Sequence, residues 1–290
     1  DGPLLVARVD GVGPKVKVAR LLNRFDSVGQ VLGIHCVVDF LVRGAEPLFF
    51  LDCFAPAKLL EEVLRPIRSG FAPACRETGC ALLGGETAEM PGVYREGEFD
   101  LAGTIVGQVR PEDVIDGRAV RAGDRVWGLP STGLHTNGYS LARAVLLERA
   151  GFGVEDRPAE LAGQSVGEAL LAVHRSYLEP MRAIWSACGR EGVHALAHIT
   201  GGGFYDNIPR VLPEGLGVQL DPAAWPEPPI FGLIAERGDV TPAEMHRVFN
   251  MGIAQVIIAA SEADLSQVTE VGALEIGTVR SGPHPVGLPR

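Results

Sequence analysis

Three acidic side chains stand beside glycine turns or at the ends of apolar runs. Asp10 closes "LLVARVD" and precedes "GVGPK", and Asp39 lies inside the apolar "HCVVDFLVRGAEP". Glu86, with Glu89 close behind, follows Gly84-Gly85 in "LLGGETAEMPGVY". In nucleotide sites Mg²⁺ is typically held by one or two carboxylates together with phosphate oxygens, so this set suits metal-assisted phosphate chemistry. A carboxylate in surroundings like those of Asp39 also needs a cation or hydrogen-bond donors, because desolvating it alone is costly. Plainer explanations stand beside these. His35, Asp39 and Arg43 are spaced i, i+4, i+8 and could pair along one helix face, and an exposed turn with two acids needs no ligand. The "DGVGPK" turn adds Lys15 at the head of a helix, after glycines that let backbone N–H groups approach an anion. It matches neither G-x-x-x-x-G-K-[ST] nor G-x-G-x-x-G. Taken alone, an ordinary glycine turn with a surface lysine is its simpler explanation.

Two later loops concentrate polar groups. "STGLHTNGYS" presents Ser131, Thr132, His135, Thr136 and Asn137 just before a helix. Hydroxyls, an imidazole and helix N-terminal amides together suit a phosphate or a ribose. Capping by Thr136 or Asn137 would explain only one or two of them. In "HITGGGFYDN", the run Gly201, Gly202, Gly203 is too flexible for a helix interior and too long for a minimal turn. His198 beside it is either a core histidine or a site residue. No Ser/His/Asp or Cys/His spacing supports a protein nucleophile, and His174, His194, His246 and His284 read as structural.

These groups need a scaffold, and the chain has 290 residues with which to build one, 46% of them hydrophobic and 21% charged. That is the balance of a globular protein with one large or two ordinary domains. A net charge of −10 argues against a general nucleic-acid or membrane surface but allows local cations to receive an anion. Five cysteines without C-x-x-C spacing favour reduced thiols in a cytoplasmic protein. No run approaches the roughly 20 apolar residues of a membrane span. The opening Asp1-Gly2-Pro3 lacks an initiator Met, so a fragment of a longer product is expected.

Hydrophobic periodicity predicts strands over residues 4–9, 47–55, 80–83 and 100–109. Helices are predicted over 15–24, from 26 or 27 to about 43 with a Val31, Ile34, Val38, Leu41, Val42 stripe, and over 59–78, where Pro66 starts or kinks a segment. The opening stretch 84–92 reads as a loop. The pattern loosens over 110–124, and a second half restarts with a strand at "RVWGLP". A helix after "STGLHTNGYS" to about 149, a longer one over 168–187, a strand into "HITGGG", a short helix over "FYDNIPRVLP" and a strand over 250–260 follow. Residues 221–230, rich in proline, read as a loop. The economical organisation is two α/β or α+β domains, residues 1–112 and 113–290.

D-x4-G-A-E-P within "DFLVRGAEPLFFLDCFA", together with "DGVG-K" and "GGETAEMPG", resembles the ATP-using superfamily of aminoimidazole ribonucleotide synthetases. "LGGETAEMPGVY", "GLHTNGYSLAR", "HITGGGFYDNIPRVLP" and "VFNMGI" resemble, within it, the phosphoribosylformylglycinamidine cyclo-ligase family. The resemblance implies an N-terminal α/β domain whose sheet forms a β-barrel across a homodimer, and a C-terminal α+β domain closing the cleft. It implies a small ribonucleotide substrate, ATP as co-substrate and Mg²⁺, with no nucleic-acid or membrane partner. Carried over to this chain, it makes Asp10, Asp39 and Glu86 candidate metal contacts. Asp10, Gly11, Gly13, Lys15, Gly44, Gly84, Gly85 and Glu86 become candidate ATP contacts. Ser131, Thr132, His135, Asn137, Gly138, Gly201, Gly202, Gly203 and Asn207 become candidate substrate contacts, with Asp39, His135 and His198 candidates for catalysis. Three departures from the family pattern are visible: Pro14 where Thr is common, Val38 where Asn is common, and no N-terminal glycine-rich nucleotide-covering segment in this chain.

Overall fold

The computed structural model describes residues 2–268, 271–282 and 284–288. Strands β1 (Leu4–Gly11), β2 (Glu46–Pro56), β3 (Ala81–Thr87) and β4 (Phe99–Val109) form a four-stranded sheet in the order β1-β4-β2-β3. Only the β2–β3 pair is parallel, and α3 (Glu61–Thr78) makes that crossover. Helices α1 (Lys15–Leu21) and α2 (Asp26–Leu41) complete this unit.

Alternation along the strands decides which face is covered. On β2, Phe50, Asp52 and Phe54 are buried against the helices, and on β4 the inward set is Phe99, Leu101, Gly103, Ile105, Gly107 and Val109. The opposite face is open: Leu5 and Val9 of β1 are 73% and 67% exposed. For α2 the expected apolar stripe is replaced by burial all round, since every residue from Ser27 to Leu41 except Gln30 is inside. A helix covered on all sides lies between layers, here between the first sheet and the second half of the chain.

The second unit holds β5 (Arg125–Pro130), β6 (Val193–His198), β7 (Leu216–Leu220), β8 (Ile253–Ala259), β9 (Leu274–Ser281) and β10 (Val286–Gly287), in the order β10-β7-β9-β5-β8-β6. Its helices are α4 (Tyr139–Arg143), continued by a π-helical turn over Ala144–Arg149, then α5 (Val166–Leu171), α6 (Leu178–Cys188), α7 (Gly203–Asn207), α8 (Pro229–Gly238) and α9 (Pro242–Val248). All seven residues of β8 are buried, as befits a central strand.

Pro66, expected to start or kink a segment, lies within α3, as does Pro73. Two expectations change. The helix expected over 168–187 is two helices, α5 and α6, because the carbonyls between them are taken by distant partners. Ala172 O accepts from the Lys15 ammonium, and Val173 O accepts from the Thr132 hydroxyl at 2.6 Å. The loop expected at Gly84-Gly85-Glu86 is strand, paired through β3 to β2. Gly85 is required there because a Cβ would stand 1.9 Å from the Asp52 carbonyl oxygen. No helix among the described residues is long and apolar enough to cross a membrane, and all five cysteines are free thiols.

Candidate active site between the two sheets

The polar loops and two of the three acids meet where the first unit packs on the second. Asp39, on the inner side of α2, accepts from His198 Nδ1 at 3.1 Å through Oδ1 and from Arg8 Nε through Oδ2. Asp10, at the end of β1, accepts from the Gly11 N–H at 2.7 Å and pairs with His35 Nε2 at 3.0 Å. The other nitrogen of His35 meets the Thr136 hydroxyl at 3.3 Å. Burial raises both carboxyls, but their partners prevail. His198 and Arg8 hold Asp39 far below the carboxylate range, and His35 holds Asp10 below it. The same-helix pairing of His35, Asp39 and Arg43 does not form, because each acid finds its partner on another element.

Three hollows share residues and run as one cleft. A central one of about 280 Å³ is lined by Asp10, Gly11, Gly13, Asp39, Thr136 and Asn137 among others. On one side lies a hollow of about 540 Å³ with Asn137, Gly138, Gly201, Gly202 and Arg247. On the other lies one of about 380 Å³ with Asp39, His198, Asn207, Thr200 and three arginines. Asn207 gives the glycine loop its shape. Its amide donates to the carbonyls of Thr200, Gly201 and Gly203, the last at 2.8 Å. Gly203 is required by close packing, since a Cβ there would stand 1.9 Å from the His246 carbonyl oxygen.

Several candidates lie elsewhere. Glu86 is in register with Cys53 on the open face of the first sheet, whereas Asp10 is in register with Gly103 on the covered face. The line Asp10, Gly103, Asp52, Gly85 spans three strand spacings, roughly 14 Å. Within one chain Glu86 therefore lies too far from Asp10 and Asp39 to share a ligand set with them. Gly84 stands with it on this edge strand, and Glu89 accepts instead from the Leu59 N–H. Gly44 is at the far end of α2, its carbonyl accepting from Arg190 at 2.8 Å. Lys15 is no surface residue. It is fully buried, and its ammonium donates to the carbonyls of His135, at 3.0 Å, and Ala172. Burial brings its pKa down to about 7.

His135 also stands behind the cleft. It is 2% exposed, in a left-handed backbone conformation (φ 61°), and its Nε2 accepts from the Thr132 N–H at 3.2 Å. Ser131 and Thr132 brace the same loop, the Ser131 hydroxyl donating to Asn250 Oδ1 at 2.9 Å. The ring of His135 stacks on His174 at 3.9 Å between centroids, and His35 lies 5.1 Å from His174 and 5.2 Å from His198. Four imidazoles thus form one buried cluster. Burial holds His135 and His174 well below, and His198 below, the ordinary histidine value. His174, expected to be structural, belongs to this buried cluster and meets His135 and His35 directly, which come from two other segments. Arg8 was missed, although it stands two residues before Asp10 on one strand and so shares its face.

As chemistry, the cleft offers hard oxygen donors at Asp10 and Asp39, backbone amides at glycine loops, and guanidinium groups at one end. Among the described residues no group of three or more His, Cys, Asp or Glu is poised to hold a metal by itself. The donor set therefore fits a hard divalent cation shared with a ligand's oxygens, not an all-protein metal cage.

A four-stranded α/β unit and a six-stranded α+β unit meet around this cleft in a two-domain protein. The chain belongs to the AIR synthase related protein family: its N-terminal domain model matches residues 1–109 and its C-terminal domain model residues 121–288. A protein of Burkholderia multivorans named phosphoribosylformylglycinamidine cyclo-ligase is 50% identical over 284 residues, 96% of this chain and 79% of that protein. A Burkholderia vietnamiensis protein of the same name matches at 50% with the same coverage. Among solved structures, the hydrogenase maturation protein HypE in complex with ATP superposes with a TM-score of 0.70 at 17% identity, over 99% of this chain and 79% of that one. Thiamine monophosphate kinase from Aquifex aeolicus gives 0.64 at 18% identity, over 98% and 87%.

Proposed function

We propose that the chain closes the ring of formylglycinamidine ribonucleotide to give aminoimidazole ribonucleotide, with ATP converted to ADP and phosphate, in purine biosynthesis. The observation that carries this reading is the 50% identity, across 96% of the chain, to proteins named for that reaction. The cleft supplies what the reaction asks for. The terminal phosphoryl group of ATP passes to the formamide oxygen, turning it into a phosphate leaving group. The amidine nitrogen then attacks the activated carbon, phosphate departs, and the nitrogen gives up a proton. Positioning, charge neutralisation and exclusion of water carry such a sequence without a protein nucleophile.

Each side chain has a task in this reading. Asp10 and Asp39 would hold Mg²⁺, whose chemistry when bound is to neutralise phosphate charge. His198 is neutral, with Nδ1–H donated to Asp39, and its Nε2 has no partner among the described residues. That nitrogen is buried in the imidazole cluster, so the task of His198 is to orient the Asp39 carboxylate, and the proton lost on ring closure leaves with phosphate or to solvent. Asn137, Gly138, Gly201 and Gly202 contact ribose or phosphate, and Gly203 and Asn207 fix the shape of that loop. Lys15, Ser131, Thr132 and His135 position the loop from behind.

The same reading makes the protein a cytoplasmic homodimer with units dividing at residues 112 and 113. The open apolar face of the first sheet, with Leu5 and Val9, supports its burial against a twin sheet. The test of the reaction is an assay with ATP, Mg²⁺ and formylglycinamidine ribonucleotide in which ADP and the aminoimidazole are measured separately. Equimolar formation is the expected result, and ADP release indifferent to the ribonucleotide would refute the reading.

A further inference from the structure

The hollow of about 380 Å³ is lined by three arginines in a chain whose net charge is −10. Arg8 comes from β1, Arg43 from just beyond α2, and Arg210 from the helical turn after α7. Arg43 and Arg210 have no carboxylate partner among the described residues, and their side chains make no hydrogen bond there. The single carboxylate lining the hollow, Asp39, is already met by Arg8 and His198. Two exposed, uncommitted arginines, one from each unit, match a dianion, since each guanidinium can donate two parallel N–H bonds to oxygens of a phosphate.

We propose that this hollow binds the 5′-phosphate monoester of the ribonucleotide substrate, with Arg43 and Arg210 as its specificity-determining contacts. The identity of the ligand rests on the function proposed above. The siting of a monoester dianion rests on the arginines alone. The cations expected at the glycine loops do not serve there: Lys15 and His135 are turned inward, and Arg247 stands beside Glu244 at 4.0 Å. A triphosphate carrying Mg²⁺ is instead matched by the neighbouring hollow of Asp10 and Asp39, which shares Arg8, Asp39 and Thr200 with this one. A monoester anchored at the arginines leads its ribose past Thr200 toward Asn137 and its formamide toward the two carboxylates. Because Arg43 and Arg210 belong to different units, the bound dianion also ties the two units together across the cleft.

The test uses Arg43→Gln and Arg210→Gln in two arms. In steady-state kinetics each variant is expected to raise the ribonucleotide KM about 10- to 100-fold, the equivalent of one charge-assisted contact, and to leave the ATP KM within about twofold. Arg210→Lys, which keeps the charge without the fork, is expected to recover part of the loss. An unchanged ribonucleotide KM, or a rise in the ATP KM instead, overturns the proposal. In the second arm, binding of ribose 5-phosphate is followed by calorimetry without ATP. Wild-type binding that both glutamine variants weaken tenfold or more supports the site even if no ring closure is found, in which case the functional reading alone falls. Absence of ribose 5-phosphate binding to the wild type, or equal binding by the variants, overturns the site.

Discussion

His198 Nδ1 lies 3.1 Å from Asp39 Oδ1, a contact between residues 159 positions apart that joins β6 of one unit to α2 of the other. It fixes the imidazole tautomer and orients the Asp39 carboxylate, with Nε2 buried in the imidazole cluster. Asp39→Asn is expected to lower kcat about 10²-fold and to weaken Mn²⁺ binding, read by electron paramagnetic resonance. Wild-type Mn²⁺ affinity in that variant would remove Asp39 from the metal site.

Protonation of His198 would place a positive charge beside Asp39 and weaken its hold on a cation. Burial holds its pKa below 6.5, so kcat is expected to stay level below pH 6.5 before it declines. In His198→Gln that acid limb is absent and the residual rate is low at every pH. A limb that persists unchanged in the variant assigns it to another group.

Lys15 gives a stability signature of opposite sense to an ordinary ion pair. Its folded pKa, about 7, lies below its ordinary 10.5, so between these values the unfolded chain binds the extra proton. Stability from this residue therefore rises as pH climbs from about 7 toward 10.5, and its burial penalty is fully present below 7. Lys15→Met removes that dependence, so the difference in unfolding free energy between wild type and variant should grow with pH across this window. The variant also strands the carbonyl of Ala172, which costs about 1–3 kcal/mol. Denaturant unfolding at pH 7, 8.5 and 10 measures both effects, and a pH-independent difference would contradict the buried amine.

The stacked pair His135 and His174 works at lower pH. Both imidazoles are held neutral by burial, so the unfolded chain takes up protons first and stability falls as pH drops below 6.5. Both nitrogens of His174 lack hydrogen-bond partners among the described residues. His174→Phe is expected to raise the melting temperature at pH 5.5 by several degrees more than at pH 8. Equal shifts at the two values would mean that the cluster does not titrate.

Leu5 and Val9 carry the prediction for assembly. Val9→Asp places a charge in the open apolar face and is expected to convert a dimer to a monomer in light scattering with little loss of fold. A wild type that is already monomeric contradicts the assembly proposed here.

The long apolar runs were legible in the sequence because period-two and period-3.6 patterns mark buried faces directly: β1, β2, β4 and β8 fall where the pattern places them. Less legible was anything set by a distant partner. In "ALLAVHRSYLEP" only Pro180, in the first turn of α6, signals a break locally, and its position does not show that Lys15 and Thr132 from other segments hold the carbonyls between the helices. Glu86 shows the limit of grouping acids by local setting. All three follow or flank the same kind of run, yet strand register turns Glu86 to the open face and Asp10 to the covered one. The arginine hollow was invisible for the same reason, since Arg8, Arg43 and Arg210 meet only once the two units pack.

The central claim is that ATP activates the formamide oxygen for ring closure in this cleft. The most direct measurement supplies formylglycinamidine ribonucleotide labelled with ¹⁸O in its formamide oxygen, together with ATP and Mg²⁺, and follows released phosphate by ³¹P NMR. Transfer of the label into phosphate, in step with one aminoimidazole ribonucleotide per ADP, is the predicted result. Unlabelled phosphate, or ADP formed without the aminoimidazole product, would contradict it.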